Sequence, residues 1–175
     1  DLLGQQDVET SIAAADRHVR TGQWARAPMP LARKMSGARL GLVGMGRIGQ
    51  AIAQRATAFG MSIAYFARHP RPQLRYRYAE SLVALAAESD FLVVITPGGA
   101  ATRGLIDAAV LAALGPKGIL VNVARGSVVD EAALIEALEA GALGGAALDV
   151  FATEPNVPER LRALPQVVLT PHIGS

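Results

Sequence analysis

A short apolar run followed by closely spaced glycines constrains the fold of this chain more than any other stretch. Leu40–Val43 is typical of a buried strand, and Gly44, Gly46 and Gly49 follow it in G-x-G-x-x-G spacing. Apolar residues then recur at helical intervals up to a stop at Gly60. In such a unit the first glycine allows a tight turn, the second lets a pyrophosphate approach the backbone, and the third lets helix and strand pack closely. The stretch therefore predicts a dinucleotide-binding unit whose phosphates lie at the helix N-terminus.

The rest of the chain alternates short apolar runs with helical patterns. Strands are predicted at Leu40–Val43, Ser62–Phe66, Phe91–Ile95, Ile119–Val123, Ala146–Val150 and Val167–Leu169. Helices are predicted at Asp7–Trp24 (with Gly22 as a stop), Arg47–Phe59, Ser81–Glu88, Ile106–Leu114, Glu131–Glu139 and Pro158–Ala163. This alternation predicts an α/β fold, a doubly wound parallel sheet of about six strands. We assign residues 31–175 to the dinucleotide-binding domain and residues 1–30, which end at a break at Pro30, to an N-terminal helix and lead-in.

Composition narrows the class of partner and the compartment. The chain has no cysteine, so we expect neither disulfides nor a thiolate metal site, and a reducing cytoplasm is the expected location. No apolar run approaches the ~20 residues of a membrane span, and the N-terminus does not resemble a signal peptide. Between residues 17 and 79 there are twelve Arg and Lys and no Asp or Glu. These basic residues are not accompanied by a DNA-recognition helix or by aromatic side chains that could stack on bases. They therefore favour a phosphate-rich small molecule over nucleic acid as the partner.

The end of the second predicted strand indicates which dinucleotide is bound. An NAD-binding domain usually has an Asp or Glu about 20 residues past the glycines, where it holds the ribose hydroxyls. Here Ala67 stands at that position, Arg68 follows it, and Arg71 comes shortly after. A guanidinium without a competing carboxylate suits a ribose 2′-phosphate. NADP(H) is therefore favoured over NAD(H), and the alternative is that both arginines are solvated loop residues.

Three further strand ends have side chains with useful chemistry. Arg125 follows the fourth predicted strand, Glu154 follows the fifth, and His172 follows the sixth. Each has an ordinary explanation alone: a loop cap, a solvated turn carboxylate and a packed histidine. Since the carboxyl ends of parallel strands share one edge of the sheet, we expect all three to converge there.

These motifs together resemble the coenzyme-binding domain of the D-isomer-specific 2-hydroxyacid dehydrogenases. The resemblance runs from about Ala13 to Ser175 and includes the glycine turn. It also includes Asn-Val-Ala-Arg-Gly at 122–126, Asp-Val-Phe-x-x-Glu-Pro at 149–155 and Thr-Pro-His-Ile-Gly at 170–174. The Ala-Arg pair after the second strand is similar to the glyoxylate/hydroxypyruvate reductase branch, which prefers NADPH.

The resemblance implies a role for each matching residue in the reduction of a small 2-oxoacid. His172 would be the general acid, Glu154 would hydrogen-bond it and favour the imidazolium, and Arg125 would bind the substrate carboxylate. Asp149 would hold the nicotinamide carboxamide. The other cofactor-binding residues would be Gly44, Gly46, Arg47, Ile48 and Gly49 at the pyrophosphate, Arg68 at the ribose phosphate, and Thr96, Pro97, Val123, Ala124 and Gly174 along the groove. No metal is implied.

Several features depart from the family or leave alternatives open. Nothing in the chain corresponds to the family's second domain, so we expect a fragment of a two-domain enzyme that binds NADP(H) but turns over little alone. Gly98 and Gly99 replace bulkier residues that are common after Thr-Pro in the family, and they are expected to widen the cleft or to loosen the groove. By resemblance, the segment around Trp24 would contribute to a homodimer. The alternatives are a dinucleotide-sensing binding module without catalysis, or a phosphoglycerate dehydrogenase-like enzyme, although the latter would normally keep an acidic residue at the position of Ala67.

Overall fold

A parallel β-sheet with helices packed against it is the framework of the computed structural model, which describes residues 8–29 and 34–174. The strands are β1 (Arg39–Val43), β2 (Ser62–Phe66), β3 (Arg77–Tyr78), β4 (Phe91–Val94), β5 (Ile119–Asn122), β6 (Gly145–Leu148) and β7 (Val167–Leu169). The α-helices are α1 (Val8–Arg20), α2 (Arg47–Ala58), α3 (Leu82–Ala87), α4 (Ala108–Leu114), α5 (Glu131–Glu139) and α6 (Glu159–Arg162). The predicted helix start at Asp7, the break at Pro30 and the final residue Ser175 lie outside the described residues.

The seven strands are arranged in the order β3-β2-β1-β4-β5-β6-β7, and every pair is parallel. The predicted doubly wound parallel sheet is thereby confirmed. The sheet has one strand more than expected, because β3 consists of only two residues and its sequence, Arg77-Tyr78, is too short to show a period. Its pairing with β2 places Tyr78 opposite Tyr65.

The central strands are buried on both faces, which explains their continuous apolar sequences. All four residues of β4 are buried, as are the last four residues of β1. One core cluster lies on the side of α3, α4 and α5, and a second lies on the side of α2. Helix α1 lies against β6 and β7. Within the described part of the chain, no helix has the length and apolar character to cross a bilayer.

Strand order decides where a ligand site can form. The chain leaves β1 towards β2 on one side, and it leaves β4 towards β5 on the other. This reversal opens a crevice between the carboxyl ends of β1 and β4, the usual ligand site in such sheets. The glycine turn after β1 and the Thr96-Pro97 segment after β4 therefore face one another across it.

Candidate active site

The three glycines after β1 differ in what surrounds them. Gly44 has a φ of 110°, and a Cβ there would lie 3.0 Å from the Ile95 carbonyl oxygen. A Cβ on Gly49 would come within 2.5 Å of the Gly44 carbonyl oxygen, so this glycine lets α2 pack against the turn. At Gly46, by contrast, no described atom lies within 4 Å of a Cβ position. The turn is thus tight at its two ends and open at its centre, as a pyrophosphate site requires.

Helix α2 begins at this open position. Its N-cap residue is Gly46, and no side chain caps the first turn. The N–H groups at the start of the helix and the positive end of its dipole are therefore available to an anion. Arg47 and Ile48 are the first two residues of the helix, and both are exposed.

A cleft of about 600 Å³ extends from the start of α2 to the loop after β5. Two apolar side chains beside it are notably exposed, Ile48 at 66% and Val123 at 40%, so a flat ring could cover them. The cleft brings together six of the predicted site residues. Its lining residues are Ile48, Ile95, Thr96, Pro97, Gly98, Gly99, Val123, Ala124, Arg125 and Ser127.

Arg125 is fixed in this cleft by hydrogen bonds of its own loop, and Gly98 leaves space for its side chain. The buried Asn122 side chain accepts the Ala124 N–H at 3.0 Å and donates to the Arg125 carbonyl at 3.2 Å, which fixes the turn after β5. The Arg125 guanidinium donates to the Ala124 carbonyl at 2.6 Å. A Cβ on Gly98 would lie 2.8 Å from Arg125 Cγ. Gly98 therefore gives space to the arginine side chain, whereas the sequence suggested a wider cleft.

His172 and Glu154 form a direct pair beside the cleft. His172 Nδ1 lies 2.8 Å from Glu154 Oε2, and Glu154 Oε1 accepts the Phe151 N–H at 3.0 Å. The hydrogen bond with His172 and that from Phe151 lower the pKa of the Glu154 carboxyl, and the more distant positive charge of Arg125 acts in the same direction. Glu154 is thus an ionised partner for the ring, and both side chains are about one-third exposed, at 34% and 36%.

Asp149 ties the segment after β7 to the end of β6. Its Oδ1 accepts the Thr170 hydroxyl at 2.5 Å and the Ile173 N–H at 3.0 Å, and its Oδ2 accepts the Gly174 N–H at 2.8 Å. The Thr170 hydrogen bond and the two backbone N–H groups lower the pKa of this carboxyl. The Asp149 carbonyl also accepts the His172 N–H at 2.9 Å. Three of about four lone-pair positions are occupied, which leaves one on Oδ2 for a further donor.

The loops that bear these side chains meet through a glycine. A Cβ on Gly126 would lie 1.9 Å from the Phe151 carbonyl carbon and oxygen, so the two backbones are in direct contact there. Gly126 follows Arg125, and Phe151 is the residue whose N–H binds Glu154. The structure therefore brings Glu154 and His172 into contact and places Arg125 close to them, at the ends of the neighbouring strands β5, β6 and β7.

Arg68 lies on the β2 side of the glycine turn. The Gly44 N–H donates to the Phe66 carbonyl at 2.9 Å, so the end of β2 is fixed beside the turn. Arg68 comes two residues later; it and Arg71 are exposed, and neither forms an ion pair with any residue that the structure describes. No group of three His, Asp or Glu that could hold a metal ion occurs in residues 8–29 and 34–174.

Sequence reasoning missed three residues that shape the site: Asn122, Gly126 and Thr170. Asn122 and Thr170 hold functional loops through side-chain hydrogen bonds. Gly126 allows the close backbone contact with Phe151. All three stand inside the motifs at 122–126 and 170–174, so their positions were visible in the sequence. The partners of Gly126 and Thr170 lie in distant segments, whereas Asn122 bonds to the neighbouring Ala124 and Arg125, where a short polar side chain at the end of a strand was the available signal.

Comparison with known proteins identifies the family. Residues 7–174 match the sequence profile described as "D-isomer specific 2-hydroxyacid dehydrogenase, NAD binding domain". The chain belongs to this family. The predicted resemblance is confirmed, and the parallel sheet is the family's Rossmann-type NAD-binding fold.

Individual relatives are similar over nearly all of this chain but only half of their own length. Glyoxylate/hydroxypyruvate reductase A of Arabidopsis thaliana is 50% identical over 164 residues, which are 94% of this chain and 52% of the relative. Hydroxyphenylpyruvate reductase of Plectranthus scutellarioides has the same identity and coverage. Among solved structures, the NADPH-dependent glyoxylate/hydroxypyruvate reductase of Sinorhizobium meliloti in complex with NADP and malonate is 50% identical, with a TM-score of 0.88 over 93% of this chain and 51% of that one. The chain thus spans about half the length of the relatives it matches.

Proposed function

We propose that this chain is the coenzyme domain of an enzyme that reduces a small 2-oxoacid of the glyoxylate or hydroxypyruvate type to the corresponding 2-hydroxyacid with NADP(H). The observation that supports this most directly is the His172–Glu154 pair beside Arg125, at the same edge of the sheet as the open glycine turn. Relatives with 50% identity are named for such reductions. A proton donor, a cation and a nucleotide cleft are what the reaction needs.

Each of the three side chains has a distinct task in this proposal. Arg125 binds the substrate carboxylate through the forked donors of its guanidinium and orients the neighbouring carbonyl. His172 donates a proton to the carbonyl oxygen as that oxygen becomes negative, and it accepts the proton in the reverse direction. Glu154 holds the ring through Nδ1, which leaves Nε2 to face the substrate, and its charge stabilises the protonated ring. When bound, the reduced nicotinamide supplies the hydride that adds to the carbonyl carbon.

The remaining predicted residues would hold the dinucleotide. The glycine turn with Arg47 and Ile48 takes the pyrophosphate at the start of α2. Thr96, Pro97, Val123 and Ala124 line the groove for the nicotinamide half. Asp149 accepts the carboxamide at its remaining lone-pair position, and Gly174 leaves Oδ2 uncrowded, since a Cβ there would lie 2.9 Å from that oxygen.

NADP(H) is the proposed cofactor in preference to NAD(H). No carboxylate occurs between residues 50 and 79 to compete for Arg68 or to bind the ribose hydroxyls of NAD. We expect the chain to bind NADPH at least about tenfold more tightly than NADH, since a charge-assisted pair with a phosphate is worth roughly 1.5–3 kcal/mol. Titration calorimetry with both cofactors measures this ratio. Equal affinities would refute the preference, and Arg68→Ala should bring the two affinities together.

The acid–base role of His172 is tested in the full-length enzyme. We expect His172→Ala to abolish reduction and to leave NADPH binding nearly intact, because the imidazole contacts the substrate rather than the dinucleotide. Steady-state rates and cofactor titration distinguish the two effects. A collapse of cofactor affinity together with the rate would make His172 structural. NADPH binding without any turnover by the unmodified enzyme would indicate a dinucleotide-sensing module instead.

A homodimer is part of the same proposal. Val19 and Trp24, in and after α1, are 55% and 68% exposed, so the N-terminal segment has apolar surface that a second copy would cover. Sedimentation equilibrium of the full-length enzyme checks this, and Trp24→Ser should weaken the dimer. A monomer at micromolar concentration would contradict it. The cytoplasmic location and the boundary between residues 30 and 31 stay predictions.

A further inference from the structure

The loop between β2 and β3, residues 67–76, is anchored by a buried tyrosine hydroxyl. Tyr65 on β2 is only 1% exposed. Its hydroxyl accepts the Arg71 N–H at 2.7 Å and also lies 3.4 Å from the Arg71 carbonyl, to which it donates. One phenol thus holds both polar groups of a single loop residue, although Arg71 itself is exposed. This is a backbone anchor at the centre of the basic loop.

A second tyrosine anchors the start of the same loop. Tyr78 lies opposite Tyr65 in the β2–β3 pairing, and its hydroxyl donates to the Ala67 carbonyl at 3.3 Å. The two rings form an edge-to-face pair with centroids 5.5 Å apart and an interplanar angle of 64°. The backbone is therefore held at Ala67 and at Arg71, and Arg68 stands between these two points.

This loop needs external anchors because its own charges work against order. Arg68, Arg71 and Arg75 repel one another, and the sequence offers no carboxylate from residue 50 to 79 to neutralise them. A loop that is already ordered loses less conformational entropy when an anion binds. The anchors also fix the loop relative to the glycine turn, since the Phe66 carbonyl accepts the Gly44 N–H at 2.9 Å.

We propose that Tyr65, supported by Tyr78, is a positioning residue for cofactor specificity: its hydroxyl holds the loop so that Arg68 and Arg71 meet the 2′-phosphate of NADP(H). This inference rests on the proposed preference for NADP(H). According to this proposal Tyr65, which is buried and far from the reacting atoms, affects the affinity for NADPH but not the affinity for NADH. Tyr65 touches neither substrate nor cofactor in this scheme.

The decisive variant is Tyr65→Phe, which keeps the ring pair and removes only the hydroxyl. We expect affinity for NADPH to fall about three- to tenfold, the equivalent of one hydrogen bond, while affinity for NADH stays within about twofold. Titration of the nucleotide fluorescence measures both affinities. A comparison of the affinities for 2′-AMP and 5′-AMP isolates the contribution of the phosphate at the 2′ position. Tyr76→Phe is the matched control, because the Tyr76 hydroxyl forms no hydrogen bond with any described residue; it should change neither affinity.

Two results would overturn the proposal. Equal losses for NADPH and NADH would make Tyr65 a purely structural residue, and unchanged affinities would show that the anchor is irrelevant. If Tyr65→Phe does not fold, Tyr78→Phe provides the same comparison at the half-buried partner. Arg68→Ala, measured in parallel with the unmodified protein, separates the positioning role of Tyr65 from the cofactor preference on which that role depends. If the unmodified protein binds NADPH and NADH equally, the cofactor preference itself is wrong. If Arg68→Ala lowers the NADPH to NADH ratio and the tyrosine variants do not, the preference stands and the positioning role fails. An unchanged ratio in Arg68→Ala would refute the contact between Arg68 and the 2′-phosphate, and with it the positioning role.

Discussion

Gly98 leaves space for the side chain of Arg125 because it has no Cβ of its own. The space that a Cβ would fill is taken by the stem of Arg125, 2.8 Å away at Cγ and 3.1 Å away at Cβ. We expect Gly98→Ala to displace the arginine and to raise the KM for the 2-oxoacid about fivefold in the full-length enzyme, the equivalent of about 1 kcal/mol of carboxylate binding. Cofactor affinity should stay unchanged. Steady-state kinetics at saturating NADPH measures the effect.

A double-mutant cycle tests the physical reason. In an Arg125→Ala background most of the displaced side chain is gone, so Gly98→Ala should add little further loss. Additive effects of the two substitutions would show that Gly98 acts on the site by another route.

Asp149 makes the free energy of unfolding depend on pH in the acidic range. The hydrogen bond from Thr170 and those from the Gly174 and Ile173 N–H groups lower its pKa below the ordinary 3.8. A carboxyl whose pKa is lower in the folded state than in the unfolded state stabilises the fold above the unfolded value, and this contribution disappears as the pH falls through the folded value. We expect Asp149→Asn to lower the free energy of unfolding by about 1 kcal/mol at neutral pH. Denaturant unfolding of both proteins at several pH values measures the difference.

The difference between the two proteins should shrink as the pH falls from the ordinary carboxyl pKa of 3.8 through the lower folded value, because the unfolded carboxyl binds a proton first and the folded one only later. A constant difference across this range would show that Asp149 acts through its shape and not through its charge.

At the scale of elements, the contact between the loops after β5 and β6 brings Arg125 towards Glu154 and His172. A Cβ on Gly126 would lie 1.9 Å from backbone atoms of Phe151, which cannot move without the rest of its loop. We therefore expect Gly126→Ala to destabilise the domain by roughly 2 kcal/mol or more, as in other overpacked sites. Reduction should be lost, because Arg125 and Glu154 move apart. Ser127→Ala, at the adjacent residue, inserts no atom and should have a small effect on the free energy of unfolding; comparable losses of stability in both variants would argue against the backbone contact.

The predicted elements differ from the observed ones where the pattern is short. Six of the strands and the main helices were predicted from apolar runs and helical spacing, while β3, with two residues, was not. The fourth helix begins at Ala108 and not at Ile106, because the Asp107 side chain caps it by accepting the Val110 N–H at 3.0 Å. Periodicity needs several residues to be visible, whereas a cap or a two-residue pairing depends on single contacts.

For the whole molecule, charge is divided along the chain. Residues 18–79 contain no acidic residue, and this stretch includes the glycine turn and the Arg68 loop, so the cleft for the dinucleotide has a positive field. Because salt screens exposed charges, we expect higher ionic strength to weaken NADPH binding several-fold and NADH binding less. Titrations at low and high salt measure this. Equal salt dependence of the two cofactors would locate the attraction at the pyrophosphate alone.

The sequence by itself determined the parallel sheet, the glycine turn, the family, and the side chains that stand at each strand end, because these follow from periods and motifs within short stretches. The tertiary structure decided which groups touch: the His172–Glu154 pair, Gly126 against Phe151, Gly98 beside Arg125, and the Tyr65 hydroxyl on the Arg71 backbone. Most of these contacts join residues from different strand ends or loops. Their distances depend on how strands stack and twist, and local sequence does not encode that separation.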